Sequence, residues 1–420
     1  MNITSLGTAQ YPSPLKRCVD DCQFVPADIL RGPGSPQADD LLFELAGARE
    51  KLFFDPSSTR AGIVTCGGLC PGLNDVIRSV FFELRYAYGV QNMLGFRWGY
   101  QGLDPELGAP PVVLSHEMVD RIHLQGGTIL GTSRGPVDKA RAVENLIRLG
   151  VNILFTIGGD GTQRGARELF LEAQRRAYPL AVVGIPKTID SDIPFVSRSF
   201  GFLTAVQEAA RVLDRAHTEV RSVQNGIAMV KLMGRHAGFL TGAATVASQN
   251  VNFALIPEVP FKLEGEHGFL TELESRIVSR GHAVIAVAEG AGQELLGDGA
   301  EARDPSGNVK LKDIGQFLVS RIEQRFRSRG IPFVMRYFDP SYIVRSSPAN
   351  TEDSILCDQF ARHAVHAAMA GKTGLVIGFL HDCFIHVPIE LLATQEKRLD
   401  PNSPMWSAVL SATGQPHRFE

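Results

Sequence analysis

The chain has 420 residues, 44% apolar and 21% charged, with 42 Lys and Arg against 45 Asp and Glu for a formal net charge of −3. That length suits roughly two or three domains, and the near-neutral balance excludes a general attraction to nucleic acid or anionic membrane, so any phosphate recognition has to be local. No apolar run reaches the ~18 residues of a membrane-spanning helix, and Met1-Asn2-Ile3-Thr4 lacks the basic-then-apolar order of a secretory signal, so the expected location is cytoplasmic.

In chain order, residues 1–58 read as an N-terminal extension: Pro12, Pro14, Pro26, Pro33 and Pro36 interrupt it, and periodicity is confined to 39–54. Cys18 and Cys22, like Cys66 and Cys70, have C-x₃-C spacing in unrelated contexts, and are read as free thiols in preference to zinc ligands. From residue 60 short apolar runs alternate with amphipathic stretches. A buried strand over 61–65 feeds a Gly-rich turn over 66–72 and a helix over 74–88. A second strand over 151–157 ends at Gly158-Gly159-Asp160-Gly161-Thr162, before a helix over 164–177. A third over 181–185 ends at Pro186-Lys187-Thr188-Ile189-Asp190-Ser191-Asp192. Phe202, Val206, Ala209, Leu213 and Ala216 then recur at helical spacing. Further strands are expected over 227–231, 282–288 and 375–380, and a polar surface loop over 291–313. Repeated strand–loop–helix units with apolar strands predict an α/β fold of two doubly wound, Rossmann-like domains with parallel-rich sheets, plus the extension. Ligands of such folds bind beyond the carboxyl ends of the strands.

Three of those strand ends carry chemistry. In Gly158–Thr162, glycines let backbone N–H groups approach phosphate oxygens, the following helix N-terminus favours an anion, and Asp160 is a hard oxygen ligand suited to Mg²⁺ on phosphates. The same five residues also suit a plain strand-to-helix turn with an Asp cap. In 186–192, an extended backbone would set Thr188, Asp190 and Asp192 on one side. One carboxylate there suits proton abstraction from a hydroxyl, the other a metal or an orienting role, and Lys187 suits phosphate charge. The plain alternative is a solvated acidic turn. The turn 65–74 resembles an anion-binding loop, but neither it nor 127–135 spells the dinucleotide pattern G-x-G-x-x-G. Gly371-Lys372-Thr373 hints at a P-loop, but His366 stands where that motif needs Gly. Arg134, Arg235, Arg336 and Arg345 offer guanidinium groups for phosphate. His363 and His366 are read as structural.

Taken together these motifs resemble the phosphofructokinase family, over about 62–379. Gly67-Gly68 with Pro71-Gly72-Leu73-Asn74, Gly99 to Leu103, Gly126-Gly127-Thr128 with Gly131 to Arg134, Gly158 to Thr162, Pro186 to Asp192, Met233-Gly234-Arg235, Ala288-Glu289-Gly290 and Tyr342 to Arg345 occur in the family's order. The resemblance implies catalytic roles for Asp190 (general base), Arg134 and Thr188, and contacts to ATP by Gly68, Arg134, Gly135, Gly159, Asp160, Gly161 and Thr162. It implies fructose 6-phosphate binding by Thr188, Ile189, Asp190, Met233, Gly234, Arg235, Glu289, Tyr342 and Arg345, with Mg²⁺ on Asp160 and Asp192. It further implies a homo-oligomer, dimer or tetramer, under allosteric control. On this basis 59–202, completed by about 343–395, is the nucleotide and metal domain, and 203–342, completed by about 396–420, the sugar-phosphate domain.

The chain departs from the common bacterial members: Leu69 and Cys70 replace Asp-Ala, Gly226 replaces an Arg, Tyr342 a His, and Ser191 an Asn. The extension and the stretches 231–233, 256–260 and 339–342 are similar to the plant and trypanosomatid ATP-using branch. Gly161 and Lys187 bear on the donor. Pyrophosphate users carry Asp at the first position, where it would crowd the nucleotide α-phosphate, so Gly161 favours ATP. They also carry Lys at the second, but the ATP-using branch shares it. Rival readings are a pyrophosphate-dependent enzyme, an NAD or lipid kinase sharing the G-G-D-G-T core, and a non-catalytic sugar-phosphate sensor. Lys187 to Asp190 and Met233 to Arg235 speak against the kinases, and the presence of Asp160 and Asp190 against the sensor.

Overall fold

The computed structural model describes residues 3–30, 41–135, 137–297, 310–392 and 397–420. Two sheets organise them. The first has nine strands in the order Phe24–Pro26, Leu42–Leu45, Cys383–Pro388, Leu375–Leu380, Ala181–Pro186, Ile153–Gly158, Arg60–Thr65, Asn92–Phe96 and Val112–Val113. The five strands from Leu375–Leu380 to Asn92–Phe96 run parallel, and the flanking ones antiparallel. Ile153–Gly158 and Ala181–Pro186 are buried at every position, as strands covered on both faces must be, which explains their unbroken apolar sequence.

The second sheet is fully parallel, in the order Phe253–Leu255, His282–Ala288, Gly226–Leu232, Val334–Phe338. Alternate side chains of its central strand enter different cores: Ala228, Val230 and Leu232 pack with Leu213 and Trp406, while Ile227 and Met229 pack with Phe269 and Phe326. This is the doubly wound arrangement expected. The helix Phe202–Arg221 carries the chain from the first sheet to the second. Helix Thr351–Met369 returns it, packing against Leu73–Phe82.

Several sequence expectations change. The single helix expected over 74–88 is an α-helix, Leu73–Phe82, running into a π-helical turn, Glu83–Tyr88. The wider turn lets both its ends meet helix Thr351–Met369: Arg362 pairs with Glu83, and Tyr88 Oη lies 2.8 Å from His366 Nδ1. Six strands were not foreseen after residue 60: Asn92–Phe96, Val112–Val113, Phe253–Leu255, Val334–Phe338, Lys372–Thr373 and Cys383–Pro388. Within the loop expected over 291–313, a short 3₁₀ turn occupies Gln293–Leu296. Residues 298–309 of that loop, 39–40 of the periodic stretch and the proposed boundary at 395 lie outside the described residues.

The extension is not a separate appendage. Leu42–Leu45 pairs with Cys383–Pro388 and receives Phe24–Pro26 on its other side. Glu44 anchors it: its Oε1 accepts from Arg49 Nη2 at 2.7 Å, lies 3.0 Å from His386 Nδ1, and is 3.2 Å from Lys372 Nζ. Lys372 is thereby committed to this clamp and, as expected, to no P-loop. Burial alone would raise the Glu44 carboxyl; the bond from His386 and the charges of Lys372 and Arg49 outweigh it and hold the group at about 2 in place of its usual 4.5. The folded pKa is depressed, so this stabilisation is complete above pH 4.5 and is lost as pH falls towards 2. Glu44→Gln is therefore expected to cost about 3 kcal/mol in urea unfolding at pH 7, with the gap to wild type closing progressively at pH 4 and pH 3. A pH-independent gap would assign Glu44 a packing role instead.

Candidate active site

The strands Arg60–Thr65, Ile153–Gly158 and Ala181–Pro186 are neighbours in one parallel sheet, with Thr65 beside Ile157 and Pro186 beside Gly158. Their carboxyl ends therefore open side by side. The loop carrying Arg134 is tied to the first: Thr65 Oγ1 donates to Gly131 O at 2.7 Å and Thr132 Oγ1 to Gly67 O at 2.6 Å. This brings Arg134 to Gly68, where an added Cβ would lie 3.3 Å from Arg134 Nη2. Gly135 follows at φ +135°. Lys187 reaches across from the third strand, donating from Nζ to Gly68 O at 2.7 Å.

Asp160, Gly161 and Thr162 form the first turn of helix Asp160–Arg175, not a loop before it as expected. Gly159 caps it, accepting from the N–H groups of Thr162 and Gln163 at 2.9 and 3.0 Å. The sequence hid this start because Gly161 and Thr162 are weak helix formers. Asp160 is exposed and paired with Arg164 one turn on. A 16-residue helix thus aims its N-terminus beside Gly68, Arg134 and Lys187, a setting that favours phosphate.

The segment after Ala181–Pro186 is bent and not extended, because Ser191 adopts φ +57°. Thr188 braces the bend instead of lining up with the two aspartates. Its Oγ1 donates to Asp192 Oδ1 at 2.6 Å and accepts from Asp190 N at 3.1 Å, while its carbonyl accepts from Ser199 Oγ at 3.0 Å. Ile189 packs against the cores of both sheets. Asp190 Oδ1 is shut off from solvent and accepts no hydrogen bond among the described residues. Burial, then the neighbouring charges of Asp192 and Glu289, push the Asp190 carboxyl well above its usual range, with Lys187 and Arg235 pulling it back.

Glu289 and Arg235 come from the second sheet. Leu232 and Ala288 end adjacent parallel strands, so Met233-Gly234-Arg235 and Glu289 emerge together. Glu289 N donates to Leu232 O at 2.9 Å and Gly290 N to Gly234 O at 3.0 Å. A Cβ at Gly290 would stand 1.9 Å from Arg235 O, so only glycine permits this closeness. Arg345, on helix Ser341–Ser346, adds its charge to Glu289. The carboxyl ends of the two sheets thus face each other across Asp190. Tyr342 is less engaged: it is 74% exposed, with the Arg345 guanidinium 4.4 Å above its ring. Lys397 was not foreseen. It donates from Nζ to Val196 O at 2.7 Å and lies beside Asp192, yet it sits in a polar stretch without period or motif. Cys66 and Cys70 are buried under the phosphate-facing loop, and burial pushes both thiols up to about 12.

The geometry suits phosphoryl transfer: a helix N-terminus with cations at one side, a carboxylate with a spare oxygen at the centre, and Arg235, Glu289 and Arg345 opposite. Known proteins agree. The phosphofructokinase family model matches residues 60–368. The ATP-dependent 6-phosphofructokinase of Borreliella burgdorferi is 47% identical over 384 residues, covering 90% of this chain and 86% of its own. That of Trypanosoma brucei brucei is 42% identical over 427 residues, covering 98% and 87%, and ATP-dependent 6-phosphofructokinase 7 of Arabidopsis thaliana is 46% identical over 376, covering 89% and 77%. Among solved structures, a pyrophosphate-dependent phosphofructokinase from Marinobacter aquaeolei superposes with a TM-score of 0.70 at 21% identity, over 84% of this chain and 91% of that one, a likeness of fold alone. With a family model spanning most of its length and relatives this similar end to end, the chain belongs to the phosphofructokinase family.

Proposed function

We propose that this chain is a 6-phosphofructokinase that transfers the γ-phosphoryl group of ATP to the 1-hydroxyl of fructose 6-phosphate, giving fructose 1,6-bisphosphate and ADP. The observation that carries the reading is the buried, unpartnered Oδ1 of Asp190 at the meeting point of the two sheets. In this reading the 1-hydroxyl oxygen bonds to the γ-phosphorus as the bond to the bridging oxygen of ADP breaks, and the hydroxyl proton passes to Asp190. Thr188 holds the loop so that this carboxylate faces the acceptor. Gly68, Arg134, Gly135, Gly159, Gly161 and Thr162 cradle the nucleotide phosphates. Met233, Gly234, Arg235, Glu289, Tyr342 and Arg345 hold the sugar phosphate.

The family implies Mg²⁺. Among the described residues no three His, Cys, Asp or Glu side chains converge as a protein-only metal cage. An exposed carboxylate at a phosphate-facing helix end fits a cation that takes one or two carboxylates and completes its shell with substrate oxygens. Asp160 would hold it, with Asp192 nearby but already bonded to Thr188. Bound there, the ion would neutralise charge on the transferring phosphate.

Lys187 favours a second reading, a pyrophosphate donor, since its ammonium stands under the phosphate loop. Gly161 favours ATP. A coupled assay with each donor decides: turnover of fructose 6-phosphate is expected with ATP and to be far slower with pyrophosphate. A faster pyrophosphate rate would overturn the donor, and no turnover with either would overturn the function. By the same resemblance we infer an allosterically controlled homo-oligomer, and from the sequence reading a cytoplasmic location; among the described residues no helix is long and apolar enough to cross a membrane.

A further inference from the structure

The loop that bears Asp190 is held in an unfavourable shape. Ser191 and Phe195 have φ of +57° and +60°, a region that non-glycine residues rarely occupy. Such a conformation persists only when its surroundings over-determine it. Part of the support comes from the first sheet: Phe379 N donates to Phe195 O at 3.0 Å, Ser197 N donates to Phe379 O at 2.8 Å, and Thr188 Oγ1 donates to Asp192 Oδ1 at 2.6 Å.

The two ends of the stretch from Ser191 to Val196 are joined in addition from the C-terminal segment. Lys397 Nζ donates to Val196 O at 2.7 Å and to Ser191 Oγ at 3.3 Å, bridging both ends of the strained turn. The same ammonium lies 5.3 Å from the centroid of the Phe239 ring, at the start of helix Phe239–Ser248 in the other domain. Two residues on, Leu399 N donates to Glu258 Oε1 at 2.8 Å, and the Glu258 carboxylate also accepts from Gly238 N at 2.9 and 3.0 Å. Gly238 lies three residues beyond Arg235. One short segment therefore grips the loop of the proposed base and the loop of the proposed sugar-phosphate ligands at once.

We propose that Lys397 is a positioning residue for phosphoryl transfer: its ammonium clamps the Ser191–Val196 turn of the first domain against Phe239 of the second, setting Asp190 at a fixed height over the acceptor hydroxyl. This rests on the phosphofructokinase reading above. The choice of lysine follows from the contacts, because a compact point charge with three donors can satisfy a carbonyl, a hydroxyl and a ring face together. The ammonium is costly to withdraw from water, and the bonds to Val196 and Ser191 compensate for that cost.

The test compares wild type with Lys397→Met, and with Lys397→Gln, which keeps donors without the charge, in the full chain. Removing a charge-assisted bond to a loop that must be held within a fraction of an ångström is expected to lower kcat roughly 10–100-fold while the KM for ATP moves less than about 2-fold. Lys397→Gln should fall between the two. Amide hydrogen exchange of peptides covering Ser191–Phe195 should quicken, with the core strand Ile153–Gly158 as protected as in wild type. An unchanged kcat with unchanged exchange would overturn the inference, as would a uniform loss of protection, which would make Lys397 an ordinary stabilising residue. If wild type failed to phosphorylate fructose 6-phosphate the functional reading would fall, while the exchange of the Ser191–Phe195 peptides would still decide whether Lys397 holds the turn.

Discussion

Replacing Asp190 with serine is expected to lower kcat by roughly 10²–10⁴-fold, the contribution of a positioned general base, with little change in the KM for ATP. The substitution is small and the loop does not depend on the carboxylate: Thr188 Oγ1 accepts from the Asp190 N–H, which serine retains, and Asp190 Oδ1 bonds to nothing among the described residues. The loss should therefore appear in turnover and not in the melting temperature. The pH dependence supplies a second signature. Asp190 must be ionised to accept the proton, and burial with the charges of Asp192 and Glu289 raises its pKa. The acid limb of kcat/KM should thus lie above the ordinary carboxylate value of about 4, activity growing as pH rises through it. In Asp190→Ser that limb should disappear. A variant within a few-fold of wild type across the pH range would remove Asp190 from the mechanism.

How far all this was legible from sequence depended on whether the signal was local. The buried strands of the first sheet announce themselves as unbroken apolar runs, and their Gly, Asp and Thr-rich ends mark the loops that converge on Asp190. The hairpin of Leu375–Leu380 and Cys383–Pro388 was hidden because its turn residues, His381 and Asp382, both take positive φ without the glycine that usually betrays such a turn. Val334–Phe338 was hidden because an edge strand tolerates Arg336 in its middle. The extension could not be placed, since its anchor is Glu44 meeting Lys372 and His386 from more than 300 positions away. Lys397 is the same case: the groups it meets, Ser191, Val196 and the Phe239 ring, lie more than 150 positions away.

Gly161→Asp is expected to reduce kcat/KM for ATP roughly 10–100-fold while leaving the fold intact, and it is the sharpest probe of the donor. The position has room: an added Cβ would find Arg164 Nη2 as its nearest neighbour at 3.7 Å, an ordinary contact. An aspartate in the first turn of helix Asp160–Arg175 also favours the helix, by about 0.3–1 kcal/mol. The melting temperature should hold or rise slightly. The cost falls on the nucleotide. A carboxylate about 4 Å from a phosphate oxygen is repelled by about 4 kcal/mol at an effective dielectric near 20. Arg164 stands close enough to offset part of that, which leaves about 1.5–3 kcal/mol at ~1.4 kcal/mol per tenfold. Pyrophosphate has no α-phosphate linked to a nucleoside and meets no such obstacle, so its use should be spared, and the ratio of the two donors should shift in its favour. Gly161→Ala, with the same Cβ and no charge, separates crowding from repulsion and should lose less. If Gly161→Asp kept wild-type ATP kinetics at an undiminished melting temperature, the physical reason for preferring ATP at this helix end would be gone, and Lys187 would then weigh the reading towards pyrophosphate.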